Sequence, residues 1–306
     1  MRNSLSIERI VTFEETQLRK HNSTNKIIQK IIIFTILLIY AILLMTPFYV
    51  ILTTSFKSYE DVYSSLGFVW FPEEISVQAY IDVLVNDPFR DIVGMPSLLS
   101  GFINTLWSTL IPTIIGLFTS GLAAYAYAKM KFKGRENIFL IELITMMIPA
   151  GTMAIPTYLF YDALGWTDSY LPLIIPGLFG GATTIFFLRS YMMSIPDEII
   201  EAAKIDGLNS FEIYLKIISP QTIPAFIAQF IFGFVGGYNN YMGPLLYLPN
   251  PEQYTLQLVV SEFQIMFADG NQLCAMALLA MTPLIILYIV FQKFFIEGIS
   301  IGGGKE

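Results

Sequence analysis

The sequence predicts an all-α membrane protein with six transmembrane helices. Hydrophobic residues make up 55% and charged residues 13% of the 306 residues, whereas soluble domains carry roughly a quarter charged residues. Six apolar runs of about 20 residues or more follow one another along the chain, and a helix of that length crosses a bilayer. Such runs are too long for barrel strands, and in lipid a helix satisfies its own backbone amides.

The apolar runs also divide the chain. The predicted spans are 31–56, 102–128, 138–161, 171–195, 221–248 and 271–294. The remaining segments are an N-terminal segment at 1–30, a polar segment at 196–220 inside the membrane domain of 31–294, and a tail at 295–306. The N-terminal segment is too polar and too long to resemble a cleavable secretory signal, so the first span should remain in the protein.

Basic residues predict the orientation of these spans. Of the 17 lysines and arginines, all but Lys57 and Arg90 lie near the two termini, or in or beside the connections after the second and fourth spans. Since basic residues concentrate on the cytoplasmic side, both termini and the 196–220 segment should be cytoplasmic. The net charge is −7 and the sequence has no basic patch, so no nucleic-acid partner is expected.

Small residues mark a close helix contact in the second span. Gly116, Ser120, Ala124 and Ala128 recur every four residues. This spacing puts them on one helix face, where another helix can approach closely. We therefore expect this face to pack against a neighbouring span.

The first half of the 196–220 segment has the pattern of a short surface helix. Pro196 suits a first helical position, and acidic residues follow in the first turn. Its apolar face should be formed by Ile199, Ala202, Ala203 and Ile205. Gly207 should end the helix, because glycine adopts a left-handed turn without a Cβ penalty.

A second short helix should follow directly. Asn209 and Glu212 have the spacing of a capping box. The expected apolar stripe of this helix consists of Phe211, Tyr214, Leu215 and Ile218. The pattern alone fits either an amphipathic connection resting on the bilayer or a docking element for another protein.

The stretch "EAAKIDGLNSFEIYLKIISPQTIP" resembles the EAA loop of ATP-binding-cassette importer permeases. The residues at the family's EAA, Asp and Gly positions are Glu201, Ala202, Ala203, Asp206 and Gly207. Ser219 and Gln221 stand where the family usually has Leu, and we expect them to alter only packing at the entry to the next span. The resemblance implies the type I permease fold, with 196–220 as a cytoplasmic helix-turn-helix coupling loop.

Further stretches resemble the smaller permease of maltose-type sugar importers. These are "YNNYMGPLLYL" with "YTLQLVVSEF", "FINTL", "YAYAKMKFKGR" and "FFIEGISIGGGKE". The resemblance implies a permease subunit of a carbohydrate importer in a bacterial or archaeal cell membrane. It also implies three kinds of partner: a second permease, two cytoplasmic ATPases that bind the EAA loop, and an external solute-binding protein. No phosphate-binding loop is visible, so ATP should be used by the partner and no cofactor by this chain.

Polar residues along the fifth span are candidates for the solute pathway. Amides, hydroxyls and aromatic faces commonly hold sugars, and the residues offering them are Gln229, Tyr238, Asn239, Asn240 and Tyr241. The same residues would equally serve as anchors at the membrane interface. A solute of another class is also compatible with the sequence, although the two basic residues inside predicted spans, Arg189 and Lys293, both lie near the inner ends of those spans.

Two other classes are less compatible with the sequence. A secondary transporter should show ionisable groups within the membrane and repeated halves, whereas Glu142 is the one acid well inside a span and no repeat is visible. An intramembrane enzyme would need a nucleophile or metal constellation. One cysteine, Cys274, and one histidine, His21, exclude a disulfide framework and a Cys/His metal site.

Overall fold

A computed structural model describes residues 2–63, 69–87, 89–266 and 269–302, with side chains in 26–63, 69–87, 89–149, 151–265 and 269–293. Every regular element within these ranges is helical. In chain order the α-helices are α1 (Arg2–Ser55), α2 (Tyr59–Tyr63), α3 (Gln78–Leu84), α4 (Arg90–Val93), α5 (Ser97–Lys129), α6 (Arg135–Thr145), α7 (Ala150–Ala163), α8 (Leu171–Leu178), α9 (Ala182–Met193), α10 (Asp197–Ile205), α11 (Ser210–Ile213), α12 (Ser219–Gln221), α13 (Ile223–Tyr238), α14 (Met242–Tyr247), α15 (Leu256–Met266) and α16 (Gly270–Gly302). A π-helical turn (Tyr214–Ile218) joins α11 to α12, and a 3₁₀ turn (Pro251–Gln253) precedes α15.

Among the described residues, four helical stretches are long and apolar enough to cross a membrane. They are Lys26–Ser55, Ser97–Lys129, Leu171–Met193 and Gly270–Lys293. A fifth crossing is possible if Ser210–Gln221 and Ile223–Tyr238, which meet at 78°, are counted together. All six predicted apolar runs are helical in the described residues. The run 138–161 is missing from this count because neither α6 nor α7 is long enough to cross a membrane by itself.

The first and last helices extend beyond the predicted spans. α1 begins at Arg2 instead of residue 31, and α16 continues to Gly302 beyond the predicted end at 294. Hydropathy predicts where lipid ends, but the backbone bonds of a helix continue through polar residues. The side chain of His21 and the last residues of the tail, 303–306, lie outside the described residues.

Pro149 divides the third predicted span into two helices. α6 ends at Thr145, and Pro149 is the N-cap residue of α7. Proline has no amide hydrogen to donate and disfavours the helical conformation in the residue before it. The run 138–161 therefore becomes α6 and α7 instead of one helix.

The fourth span is also interrupted, at residues 179–181 between α8 and α9. Gly180 has a φ of +84°, which favours glycine. The hydroxyl of Thr119 donates to the carbonyl oxygen of Leu178 at 2.9 Å, and the amide of Gly181 donates to Ser120 Oγ at 3.3 Å. Two hydroxyls on α5 therefore satisfy backbone groups that the interruption releases, as burial in a membrane protein requires.

The predicted small-residue face of α5 packs against α8 and α9. A Cβ added at Gly116 would overlap the carbonyl oxygen of Gly177, and one added at Gly180 would overlap Ser120 Oγ. Ala124, one turn further along α5, is fully buried against α9. The close approach predicted from the four-residue spacing is confirmed.

Two hydrophobic clusters lie towards opposite ends of α5. The cluster near Lys129 includes Leu188, Ile213 and Tyr214 and reaches into α10. The cluster near Ser97 joins α3, α13, α15 and α16. The middle of α5, around Pro112 and Thr113, instead borders two cavities.

Candidate functional site

The turn after α10 has the geometry that its glycine predicts. Gly207 has a φ of +86°. Its amide donates to the carbonyl oxygen of Lys204 at 3.1 Å, and the amide of Leu208 donates to that of Ala203 at 3.1 Å. This pair of bonds is a Schellman motif, which closes a helix and satisfies its last carbonyls. At the other end, Pro196 is the N-cap residue of α10, so the helix begins one residue later than the sequence suggests.

The second half of the segment begins with the predicted capping box. The side-chain oxygen of Asn209 accepts from the amides of Phe211 and Glu212, each at 3.0 Å, and Glu212 Oε2 accepts from the Asn209 amide at 3.0 Å. The Asn209 amide and then Lys216 hold the pKa of the Glu212 carboxyl below its usual value. The entry angle of α11 is therefore defined by local bonds.

The two helices place their side chains differently from the predicted apolar faces. α10 buries Ile200 and Ala203, whereas Ile199 and Ala202 are exposed. A helix with apolar residues on two sides has no single face that sequence spacing can identify. Among the family-motif positions, Glu201, Ala202, Asp206 and Gly207 are exposed, and Ala203 packs inward as part of the core.

The second half of the 196–220 segment also has both buried and exposed apolar side chains. Ile213, Tyr214 and Ile218 are buried, whereas Phe211 and Leu215, expected in the same apolar stripe, are exposed. The π-helical turn Tyr214–Ile218 shifts the positions that face inward relative to a regular helix. Ile205, expected in the apolar face of α10, is 86% exposed and belongs to this outward surface.

Lys129 connects the end of α5 to the start of α10. Its Nζ donates to the carbonyl oxygen of Ile195 and to Asp197 Oδ1, both at 2.6 Å. The side chain of Lys129 is 4% exposed and that of Asp197 is 76% exposed. The hydrogen bond from Lys129 holds the pKa of the Asp197 carboxyl below its usual value. Sequence reasoning used Lys129 only for orientation, because its two partners lie more than 60 residues away.

Three of the predicted pathway residues lie outside the cavities of the bundle and bond to other parts of the chain. Tyr238 is fully buried and donates to the carbonyl oxygen of Ala280 at 2.8 Å. Asn239 donates to its own helix at Val235, and Tyr241 accepts from Ser261 at 3.3 Å. Tyr238 is thereby a core residue with no surface for a solute, which corrects its prediction as a pathway residue.

Gln229 and Asn240 instead line two adjoining cavities between α5, α8 and α13, which we call the central groove. The outer cavity, about 220 Å³, includes Asn240 and Thr255, and the inner cavity, about 200 Å³, includes Gln229. The two cavities share the walls formed by Pro112, Thr113, Gly177 and Gly233. Within the described part of the chain, no group of His, Cys, Asp and Glu could hold a metal ion.

These features, a helical membrane chain with a helix-turn-helix projecting from one end of its bundle, define a transport permease. The chain belongs to the family of binding-protein-dependent transport system inner membrane components, which it matches over residues 113–301. It is therefore a multi-pass component of an importer and not an enzyme.

Individual relatives agree with this family. The arabinooligosaccharides transport system permease protein AraQ of Bacillus subtilis is 34% identical over 205 residues, 67% of this chain and 73% of AraQ. The polygalacturonan/rhamnogalacturonan transport system permease protein YtcP of the same organism is 29% identical over 290 residues, 90% of this chain and 97% of YtcP.

A solved structure supports the same fold. It is a bacterial ABC transporter involved in the import of the acidic polysaccharide alginate, one chain of which matches with a TM-score of 0.75 and 26% identity. The match covers 88% of this chain and 96% of that one. The expected type I permease fold is confirmed.

Proposed function

We propose that this chain is one of two permease subunits of an ATP-driven carbohydrate importer in a bacterial or archaeal cell membrane. In this proposal a different permease completes the pathway, two cytoplasmic ATPases bind the 196–220 segment, and an external binding protein delivers the solute. Both termini face the cytoplasm. The ATPases use the ATP, and this chain carries no cofactor. The relatives named for arabinooligosaccharides, polygalacturonan/rhamnogalacturonan and alginate support the solute class.

The observation that carries the ATPase contact is the outward surface of the 196–220 segment. Ile205 and Phe211 are exposed apolar side chains, and Glu201 and Ala202 lie exposed on the same short helix pair. Apolar residues rimmed by charge are typical of a protein interface. We propose that this surface inserts into the ATPase.

The inward side of the segment supports a mechanical role. The Schellman motif, the capping box and the Lys129 bonds fix the helix pair to itself and to α5. Ile200, Ala203 and Ile213 are packed in the same cluster as α9. A displacement of the outward surface by the ATPase would therefore move the inner end of α5 with it.

A charge placed in the outward surface tests the ATPase contact. Ile205→Glu should abolish co-purification of the ATPase and solute uptake, because it buries an unpaired carboxylate in the interface. Ile75→Glu is the matched control, since Ile75 is 80% exposed and lies in the connection after the first span. Equal ATPase retention in the two variants would contradict the proposal.

Reconstitution tests the division of labour. The purified chain alone should hydrolyse no ATP, and uptake should require the second permease, the ATPase and the binding protein. ATP turnover by the chain without partners would contradict this arrangement. For orientation, a cysteine introduced at Ser210 in a Cys274→Ser background should stay unlabelled by an impermeant reagent outside intact cells.

A further inference from the structure

The central groove contains polar groups that the chain itself leaves unbonded. Thr255 is 4% exposed, lines the outer cavity, and its hydroxyl has no hydrogen-bond partner within the described residues. Gln229 is 9% exposed and lines the inner cavity. Buried polar groups in native proteins are nearly all hydrogen-bonded, so such a hydroxyl requires an explanation. A bound solute would supply the missing partner.

Further donors and acceptors converge on the same space. The side-chain oxygen of Asn240 accepts a hydrogen bond from the Gly243 amide at 3.1 Å, and its Nδ2 group has no hydrogen-bond partner among the described residues. Thr109 and Thr113, one turn apart on α5, also line the outer cavity. Hydroxyl and amide groups both donate and accept hydrogen bonds, and these are the groups that complement sugar hydroxyls.

Glycines let α5 and α13 approach closely along the wall of the groove. A Cβ added at Gly237 would lie 2.5 Å from the methyl group of Thr109, and one at Gly233 would lie 3.1 Å from that of Thr113. Each cavity has roughly the volume of seven water molecules at about 30 Å³ each. The two adjoin, so together they accept a sugar ring with part of its neighbour.

Charge restricts the class of sugar. Every residue that lines either cavity is uncharged, and a carboxylate moved there would lose its hydration without gaining a cation. Resting on the carbohydrate function proposed above, we propose that the central groove of this subunit holds a ring of an uncharged saccharide. The solute is then a neutral oligosaccharide, unlike the acidic polysaccharide alginate.

Uptake by the complete importer in proteoliposomes tests the solute class. Arabinotriose, raffinose and maltotriose serve as neutral probes, and trigalacturonate serves as the acidic probe. We expect ATP-dependent uptake of at least one neutral probe and none of trigalacturonate. Uptake of the acidic probe alone would overturn the groove assignment and leave carbohydrate import intact. If no saccharide is taken up, the proposed function itself fails.

Direct binding tests the site. The full complex without its external binding protein is placed in nanodiscs, and binding of the transported neutral probe is followed by saturation-transfer NMR. Thr255→Val and Asn240→Leu should each weaken binding about tenfold, because each leaves a sugar hydroxyl unpaired. Thr255→Ser should restore binding.

Thr282→Val is the matched control, since the Thr282 hydroxyl bonds to Leu278 of its own helix. It should leave binding unchanged. Recovery of the intact complex by size-exclusion chromatography, compared across all variants, separates lost solute contact from lost assembly. Absent binding in the wild-type complex, or equal binding in all variants, would overturn the proposal.

Discussion

The 196–220 segment and the central groove both depend on glycine, but for different reasons. Gly207 has a φ of +86° and nothing within 4 Å of an added Cβ, so only its backbone conformation requires glycine. Gly116 lies in the ordinary helix of α5, yet an added Cβ would overlap the carbonyl oxygen of Gly177. The shape of the 196–220 segment is therefore a property of the local chain. The shape of the groove instead depends on the close approach of three helices that are about 60 and 120 residues apart in sequence. Their contact positions are Gly116, Gly177 and Gly233.

The largest effect is expected where distant backbones meet. Gly116→Ala should destabilise the protein by about 1–3 kcal/mol, because the new methyl group has to displace the α8 backbone. Gly236→Ala is the matched control, since an added Cβ there meets nothing within 4 Å and should gain up to about 1 kcal/mol of helix stability. The measurement is the monodisperse fraction after graded heating in detergent. Equal heat resistance would show that α5 and α8 are not tightly packed.

The next effect should come from backbone conformation alone. Gly207→Val places a β-branched residue in the left-handed region at a cost of about 1–2 kcal/mol and re-aims α11. We expect lost co-purification of the ATPase and lost stimulation of ATP hydrolysis by the binding protein. Gly207→Asn should retain both, since Asn tolerates this conformation. If the Val variant behaves like wild type, the turn has no role in coupling.

Variants of Lys129 test whether the 196–220 segment is mechanically connected to α5. Lys129→Met leaves the Ile195 carbonyl without its donor and should cost about 1–3 kcal/mol, whereas Lys129→Arg keeps a donor. Asp197→Asn should have a smaller effect than Lys129→Met, because that carboxylate is mostly exposed. We expect only Lys129→Met to raise solute-independent ATP turnover while uptake falls. Equal turnover in all three variants would contradict the connection.

The pH dependence of this pair follows from the lowered pKa of Asp197. A carboxyl whose folded pKa is below its unfolded value contributes stability above the unfolded pKa and loses it as pH falls through the folded one. Coupling through Lys129 should therefore be constant between about pH 6 and 8. A loss of coupling in that interval, measured as the ratio of uptake to ATP turnover, would point to another titrating group.

The smallest effect is expected at Asn239, which the sequence made a candidate for solute contact. Its amide bonds to Val235 in its own helix at 2.9 Å, so Asn239→Ala should change uptake by no more than about 0.5 kcal/mol, or roughly twofold. The measurement is the apparent affinity for solute in uptake assays. A tenfold loss of apparent affinity would indicate that Asn239 contacts the solute, as Asn240 is proposed to do.

Local patterns accounted for most of the 196–220 segment. Gly207 and the Asn209–Glu212 pair were predicted from spacing and have the expected bonds. Their partners lie within five residues, so the chain settles these bonds without reference to the rest of the fold. The inward and outward sides were not predicted, because apolar residues occur on both and a π-helical turn shifts the register.

The sequence by itself determined the class of this protein: a helical membrane chain, oriented by its basic residues, with a helix pair that resembles the docking loop of importer permeases. Hydropathy, charge and turn chemistry depend on a few residues or one span, so they can be recognised from the sequence alone. The tertiary structure decided that Tyr238 is core, that Lys129 joins α5 to α10, and that Gln229, Asn240 and Thr255 face a common groove. Each of these depends on which helices approach closely, and close approach is a property of packed surfaces that no single stretch of sequence contains.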